Sequence, residues 1–176
     1  MKLLVTGATG FIGQELVAEL VLKKFDISIL VRKETKLFPD SVEQFVIDDF
    51  ENSPDFSASL TGVDCVIHLA GRAHITEKNK IPALDYFQKI NTELTLELAS
   101  QAAEASVERF VFISSIGVNG NQNSQPFLEV DAPNPKGLYS ISKYEAERGL
   151  LKLAANSRLE VFIIRPPLVY GINAPG

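Results

Sequence analysis

Residues 2–13, KLLVTGATGFIG, constrain this chain more than any other stretch. A short apolar run, Lys2–Val5, passes into a glycine-rich turn and then into the start of a helix. Gly7, Gly10 and Gly13 stand at G-x-x-G-x-x-G spacing. A tight turn from strand into helix needs backbone angles that glycine adopts without a steric penalty. The absence of side chains also lets a pyrophosphate approach the backbone. The helix that follows presents unpaired N–H groups and partial positive charge to such an anion. The stretch therefore predicts a strand–turn–helix unit with a dinucleotide cradle in its first turn. The spacing by itself also suits a turn that is glycine-rich for steric reasons alone, so the remaining chain has to decide.

That remaining chain alternates strand and helix. A helix is expected over Phe11–Lys24, with Phe11, Ile12, Leu16, Val17 and Leu20 turned inward. Strand two follows at Ile27–Val31, and strand three at residues 42–47, ending at Asp48-Asp49. A short helix over Ser53–Leu60 leads to strand four at Asp64–Leu69. Pro82 suits the first turn of a long helix reaching Ala105, with Leu84, Phe87, Asn91, Leu94, Leu98 and Ala102 on one face. Strand five is Glu108–Ser114, a helix covers Tyr139–Ala155, and strand six is Glu160–Arg165, stopped by Pro166-Pro167. Between strand five and that helix runs a long Asn-, Pro- and Gly-rich loop, of a length more often functional than decorative. Continuous apolar strands alternating with helices imply a parallel sheet covered on both faces. Right-handed crossovers then give an α/β, doubly wound (Rossmann) sheet of order 3-2-1-4-5-6, with its ligand crevice at the carboxyl ends of strands one and four. No repeat or interdomain linker divides the 176 residues, so residues 1–176 read as one domain.

Composition removes several classes of function. The net charge of −5 argues against a nucleic-acid binder, which needs an excess of Lys and Arg. Arg32-Lys33 is a local basic patch within that balance. The single cysteine, Cys65, excludes an internal disulfide and sits in an apolar strand pattern, as core cysteines do. No leader is visible before the first strand, and no apolar run has the length of a membrane span, so a cytoplasmic protein without membrane contact is expected. His68 and His74 have no partners at metal-ligand spacing, and no metal site is expected. His68, on a strand, reads as core.

The residues that carry chemistry lie at the carboxyl edge of the expected sheet. Strand five ends in Ser114-Ser115. Tyr139 and Lys143 follow as Y-x-x-x-K, which places both side chains on one helical face. An ammonium near a phenol favours phenolate, so Tyr139 is expected to titrate below its ordinary value of about 10. A phenol tuned in this way exchanges protons with a hydroxyl or carbonyl, and Ser115 is placed to donate a hydrogen bond to the same oxygen. At the end of strand two, an NAD binder carries a carboxylate for the ribose 2′-OH. Here that place is Val31-Arg32-Lys33, and a guanidinium at Arg32 suits a 2′-phosphate instead. A solvated charge after a strand is the alternative for Arg32.

TGATGFIG, HLAG, FVFISSIGVNG, LYSISK and RPPLVYG together resemble the extended short-chain dehydrogenase/reductase family, the NAD-dependent epimerase/dehydratase group. The resemblance runs through the whole chain. It implies Tyr139 as catalytic acid/base, Lys143 as its partner and Ser115 as the third catalytic residue. Ser115 rather than Ser114 matches the serine of the family's S-x-x-V-Y-G pattern, from which the chain departs at Asn119, where Tyr is usual. A second departure is Leu138, where Pro usually precedes the tyrosine. The resemblance further implies that Gly7, Thr9, Gly10, Phe11, Ile12, Gly13, Arg32, Leu69, Ala70, Gly71, Asn91, Tyr139, Lys143 and Pro166 bind the cofactor, with Asp49-Phe50 bracketing adenine.

HLAGRAH, SSIGVNG and IIRPPLVYG resemble bacterial nucleotide-sugar enzymes of surface-polysaccharide synthesis, 4-epimerases and 4-keto-sugar reductases, in which hydride moves between sugar C4 and nicotinamide. The expected cofactor is NADP(H) in preference to NAD(H), the expected substrate a UDP-sugar, and the expected assembly a homodimer through the two long helices. After Val169-Tyr170 the family crosses into a C-terminal, nucleotide-sugar-binding region that these 176 residues do not include. The chain is thus expected to bind dinucleotide without turning over sugar. A non-catalytic NAD(P)-binding regulator or scaffold is one alternative, although such proteins lose the tyrosine or lysine. A dehydratase is another, although Ile116-Gly117 stands where dehydratases commonly carry an acidic residue.

Overall fold

The computed structural model describes residues 1–47, 54–73, 83–171 and 174. Six strands, β1 (Lys2–Thr6), β2 (Asp26–Val31), β3 (Glu43–Val46), β4 (Cys65–His68), β5 (Arg109–Ile113) and β6 (Glu160–Ile164), form one sheet of order β3-β2-β1-β4-β5-β6. Every pairing is parallel. The sheet is the doubly wound one that the alternating pattern predicts, and its order reverses between β1 and β4, where such folds open a crevice. Helix α1 (Phe11–Leu22) links β1 to β2, and the short α2 (Ser57–Leu60) precedes β4. A long helical connection to β5 is built from α3 (Ala83–Phe87), a π-helical segment (Gln88–Glu93) and α4 (Leu94–Glu104). Helix α5 (Leu138–Ala154) links β5 to β6.

Alternation along the strands sorts the core into two layers. Leu4, Leu30, Val66, Phe110 and Phe112 pack with Leu98, Ala102, Ala146 and Leu150 from α4 and α5. Val5, Ile27, Ile29 and Val31 pack with Val17 of α1 on the opposite face. Coverage of both faces does not extend to the β6 edge. Val161 and Ile163 turn towards α4 and α5, whereas Phe162 and Ile164 alternate to the other face and remain 50% and 48% exposed. Cys65 is buried, as expected of a core thiol.

Two expected inward positions, Ile12 and Leu84, turn outward. Ile12 is exposed because the first turn of α1 faces the crevice instead of the sheet. Leu84 is exposed while Phe87, Asn91, Leu94, Leu98 and Ala102 are buried. Leu84 stands in the first turn of α3, on the same helical segment as the buried Phe87 and ahead of the π segment. In α5, Leu150 joins the core and Leu153 packs against it, leaving Leu151 as the exposed leucine of the three. The proposed helix starts at Ser53 and Pro82, with His74, lie outside the described residues. Among those described, no helix is long and apolar enough to cross a membrane.

Candidate active site

The glycine turn is locked by sterics before any ligand enters. Gly7 has φ 70°, and a Cβ there would lie 2.6 Å from the Ala70 nitrogen and 2.7 Å from the Leu69 carbonyl carbon. A Cβ at Gly13 would meet the Gly7 carbonyl oxygen and lie 2.7 Å from Ala8 Cα. Gly10 N–H closes the turn on the Gly7 carbonyl at 3.0 Å. Gly10 also caps α1 without any side-chain hydrogen bond, so the first N–H groups of that helix face the crevice uncapped. No acidic residue occupies that first turn. A bare turn, an uncapped helix start and an open crevice fit a pyrophosphate.

Two cavities open from this turn. One, about 370 Å³, is lined by Gly7, Gly10, Phe11, Ile12 and Gly13 on one side and by Ser115, Tyr139, Lys143 and Pro166 on the other. The second, about 460 Å³, runs from Gly7, Thr9 and Gly10 past Leu69, Ala70 and Gly71 to Arg32 at the end of β2. The crevice thus gathers the glycines, the strand-four loop, the serine, the tyrosine and the lysine, which lie far apart in sequence. Asn91 lies behind it. This fully buried side chain accepts from Arg72 N–H at 2.8 Å and donates to the Arg72 carbonyl at 2.9 Å and to Ser142 Oγ at 3.0 Å. Its amide holds the loop that lines the crevice. Asp49 and Phe50 lie outside the described residues.

The two serines after β5 have separate tasks. Ser114 is buried and donates to Glu147 Oε1 at 2.5 Å. Ser115 lines the crevice, and its Oγ accepts from Gly117 N–H at 3.1 Å, which leaves its own hydroxyl hydrogen free to donate. A Cβ at Gly117 would lie 2.5 Å from Ser140 Oγ, so the turn that presents Ser115 sits close against the start of α5.

Electrostatics depart from the expected tuning. Burial pushes the Tyr139 phenol up, not down. The burden falls on Lys143, which is 2% exposed, has its Nζ 4.0 Å from the centre of the Phe112 ring, and is brought down to about 7 by desolvation, against the opposing pull of Glu147 one turn further on. Spacing alone made Lys143 the perturbing charge, whereas its depth makes it the perturbed group. Because its folded-state value lies below its ordinary 10.5, the unfolded chain binds more protons between those two values. Stability therefore rises with pH across that window. Cys65 and Tyr139, both pushed up by burial, oppose the trend above their ordinary values of 9.0 and 10.0. The expected result is a thermal midpoint that climbs from about pH 7 to about pH 9 in the wild type and is flatter in Lys143→Met. A wild-type profile no steeper than that of the variant contradicts it.

Several supporting residues escaped the sequence reading. Glu147 is buried and holds Arg165 through both carboxylate oxygens, at 3.0 Å to Nε and 2.5 Å to Nη2. Arg165 also donates to Asn119 Oδ1 at 3.0 Å, which gives a role to the residue standing where the resemblance expects Tyr. A further i, i+4 step from Lys143 to Glu147 was the available signal. His68 is in the core, as its strand position implied, and forms part of a chain of hydrogen bonds. Ala70 N–H donates to Thr6 Oγ1 at 3.2 Å, and that hydroxyl is 2.7 Å from His68 Nδ1. His68 Nε2 is 3.0 Å from Thr95 Oγ1, which donates to the Asn91 carbonyl at 2.8 Å. Thr95 spends its hydrogen on Asn91 and so accepts from Nε2–H, which leaves Nδ1 to accept from Thr6. Burial, assisted by the nearby Lys143, lowers His68 to about 3 and keeps it neutral. The chain ties the ends of β1 and β4 to the π segment that carries Asn91.

Fold and crevice together are those of an α/β domain of the doubly wound type. The chain belongs to the NAD dependent epimerase/dehydratase family, whose model matches residues 3–176. It is 40% identical to a UDP-glucose 4-epimerase of Vibrio cholerae over 97% of this chain and 52% of that protein. It is 32% identical to a decarboxylating sterol-4-alpha-carboxylate 3-dehydrogenase of Dictyostelium discoideum, over 94% of this chain and 52% of that protein. Among solved structures, MoeE5 in complex with UDP-glucose and NAD superposes with a TM-score of 0.81 at 29% identity, covering 94% of this chain and 54% of its own. The chain spans about half the length of the curated relatives it matches.

Proposed function

We propose that this chain is the cofactor-binding part of a nucleotide-sugar oxidoreductase acting at C4 of a UDP-sugar, in the cytoplasm and on the path to a bacterial surface polysaccharide. The observation that carries the reading is the convergence of Ser115, Tyr139 and Lys143 on a crevice whose other wall is the uncapped glycine turn. The names of the Vibrio cholerae relative and of the MoeE5 complex support the substrate class. A bound nicotinamide dinucleotide supplies the hydride acceptor or donor. Gly7, Gly10 and Gly13 and the N–H groups of Phe11 and Ile12 would hold its pyrophosphate. Thr9, Leu69, Ala70, Gly71 and Pro166 line its path, and Asn91 fixes the loop behind it. Tyr139 takes the proton from the C4 hydroxyl when that carbon is oxidised and returns it on reduction. Ser115 donates a hydrogen bond to the same oxygen, and Lys143, once charged, stabilises the phenolate.

Arg32 lines the cavity beyond the turn where NAD binders carry a carboxylate, which favours NADP(H) and with it net reduction of a 4-keto sugar. The second reading is a 4-epimerase that retains NAD, favoured by the Vibrio cholerae relative and by the NAD in the MoeE5 complex. Full-length protein supplied with UDP-glucose, UDP-galactose and a 4-keto UDP-sugar, with either NADH or NADPH, separates them. Net NADPH oxidation with the keto sugar supports the reductase, and interconversion of the two hexoses without net cofactor change supports the epimerase. Activity with neither sugar class overturns both. A homodimer through α3, α4 and α5 is part of the proposal, and sedimentation at twice the monomer mass is its test.

A further inference from the structure

The second cavity, about 460 Å³, carries a feature that Arg32 alone does not explain. Arg32 lines it from the end of β2 and Arg72 from the loop after β4, and Tyr86 and Ile90 of the long helical connection line it as well. Among the described residues no carboxylate lines it. Neither guanidinium is in an ion pair among the described residues. Arg72 is also the residue whose main chain is held at both its N–H and its carbonyl by the buried Asn91 amide, at 2.8 and 2.9 Å. Asn91 is itself tied to Ser142 of α5 at 3.0 Å. A buried side chain that bonds both the N–H and the carbonyl of one exposed residue fixes where that residue's side chain leaves the backbone.

We infer that Arg72 is a second determinant of cofactor choice, its guanidinium facing Arg32 across the cavity so that the pair holds the 2′-phosphate of a dinucleotide's adenosine half. This inference rests on the NADP(H) reading above. A dianionic phosphate offers oxygens enough for two guanidinium forks, and planar N–H donors match them better than a point charge does. The chemistry required of the ligand is a ribose bearing a phosphate, so 2′,5′-ADP is a sufficient probe.

The test is calorimetric titration of the full-length protein with NADPH, NADH, 2′,5′-ADP and 5′-ADP, in the wild type, Arg32→Leu, Arg72→Leu and the double variant. The wild type is expected to prefer NADPH. Arg72→Leu is expected to weaken NADPH and 2′,5′-ADP about tenfold while NADH and 5′-ADP change by less than about twofold. The two single losses are not expected to add in the double variant, because both act on one phosphate. Arg72 is exposed, so the unliganded melting temperature of Arg72→Leu should match the wild type. Equal weakening of NADPH and NADH would assign Arg72 to the pyrophosphate and overturn the inference, as would no change in either. A wild-type preference for NADH overturns the cofactor reading itself, and the inference with it. That outcome is read from the wild type alone, so the two failures are distinguishable.

Discussion

In the full-length protein, Tyr139→Phe is expected to lower the rate of C4 oxidation or reduction about 10²–10⁴-fold, the usual range for losing a positioned proton donor. Dinucleotide affinity should stay within about threefold, because the cradle at Gly7–Gly13 does not use the phenol oxygen. The ring is retained, and with it the edge-on contact between Tyr139 and Phe87, whose centroids are 6.3 Å apart, so the fold should be unaffected. Two measurements check it: single-turnover rate with the sugar, and NADPH titration of the same variant. A rate within about fivefold of wild type would remove Tyr139 from the chemistry, since that is below what even a weak general acid contributes. Raising pH should speed C4 oxidation, which needs the phenolate, and slow C4 reduction, which needs the protonated phenol, and the variant should lack both dependences. Because burial pushes the phenol up in the unliganded chain, both belong at alkaline pH unless bound cofactor and a charged Lys143 lower it.

The second large effect is on stability. Glu147→Leu removes the acceptor of Ser114 and both contacts to Arg165, leaving the guanidinium bonded to Asn119. Breaking a buried pair by deleting one partner costs about 3–5 kcal/mol. Arg165 keeps 22% of its side chain in solvent, so we expect about 2–4 kcal/mol here, allowing for partial solvation of the freed cation. Denaturant unfolding of both chains measures it. Glu147→Gln should fall between wild type and Leu, since it keeps the shape and one acceptor oxygen. A midpoint for Glu147→Leu indistinguishable from wild type would show that the cluster carries no stability. The variant should also free the Ser114 hydroxyl beside Ser115, so a loss of turnover beyond the loss of folded protein would reveal that the cluster positions the serine turn.

Strand order and the place of the crevice were legible because they follow from period and from topology rules. Lys2–Val5, Ile27–Val31 and Asp64–Leu69 are apolar runs of strand length between helical stretches, and right-handed crossovers leave few ways to arrange them. The positions of Ser115, Tyr139 and Lys143 at the crevice follow from the same rules. Depth was not legible. Y-x-x-x-K reports that two side chains share a helix face, and says nothing of Lys143 lying over the Phe112 ring at 4.0 Å, which is why the direction of tuning between the two groups came out reversed. The π segment was hidden because Phe87, Asn91, Leu94 and Leu98 keep i, i+3 and i, i+4 spacing through it and all remain buried. Polar core networks were hidden for a related reason. Thr6, Thr95 and Ser142 are ordinary residues in ordinary elements, and their pairing with His68 and Asn91 exists only once β1, β4, the π segment and α5 are packed together.

The central claim is that a dinucleotide lies along this crevice with its reactive end between Ser115 and Tyr139. Its most direct test is the crystal structure of the full-length protein with NADPH. The predicted result has the pyrophosphate against the N–H groups of Phe11 and Ile12, the 2′-phosphate at Arg32, and the nicotinamide beside Tyr139 and Pro166. A dinucleotide bound away from the glycine turn, or with its nicotinamide directed away from Tyr139, would contradict it.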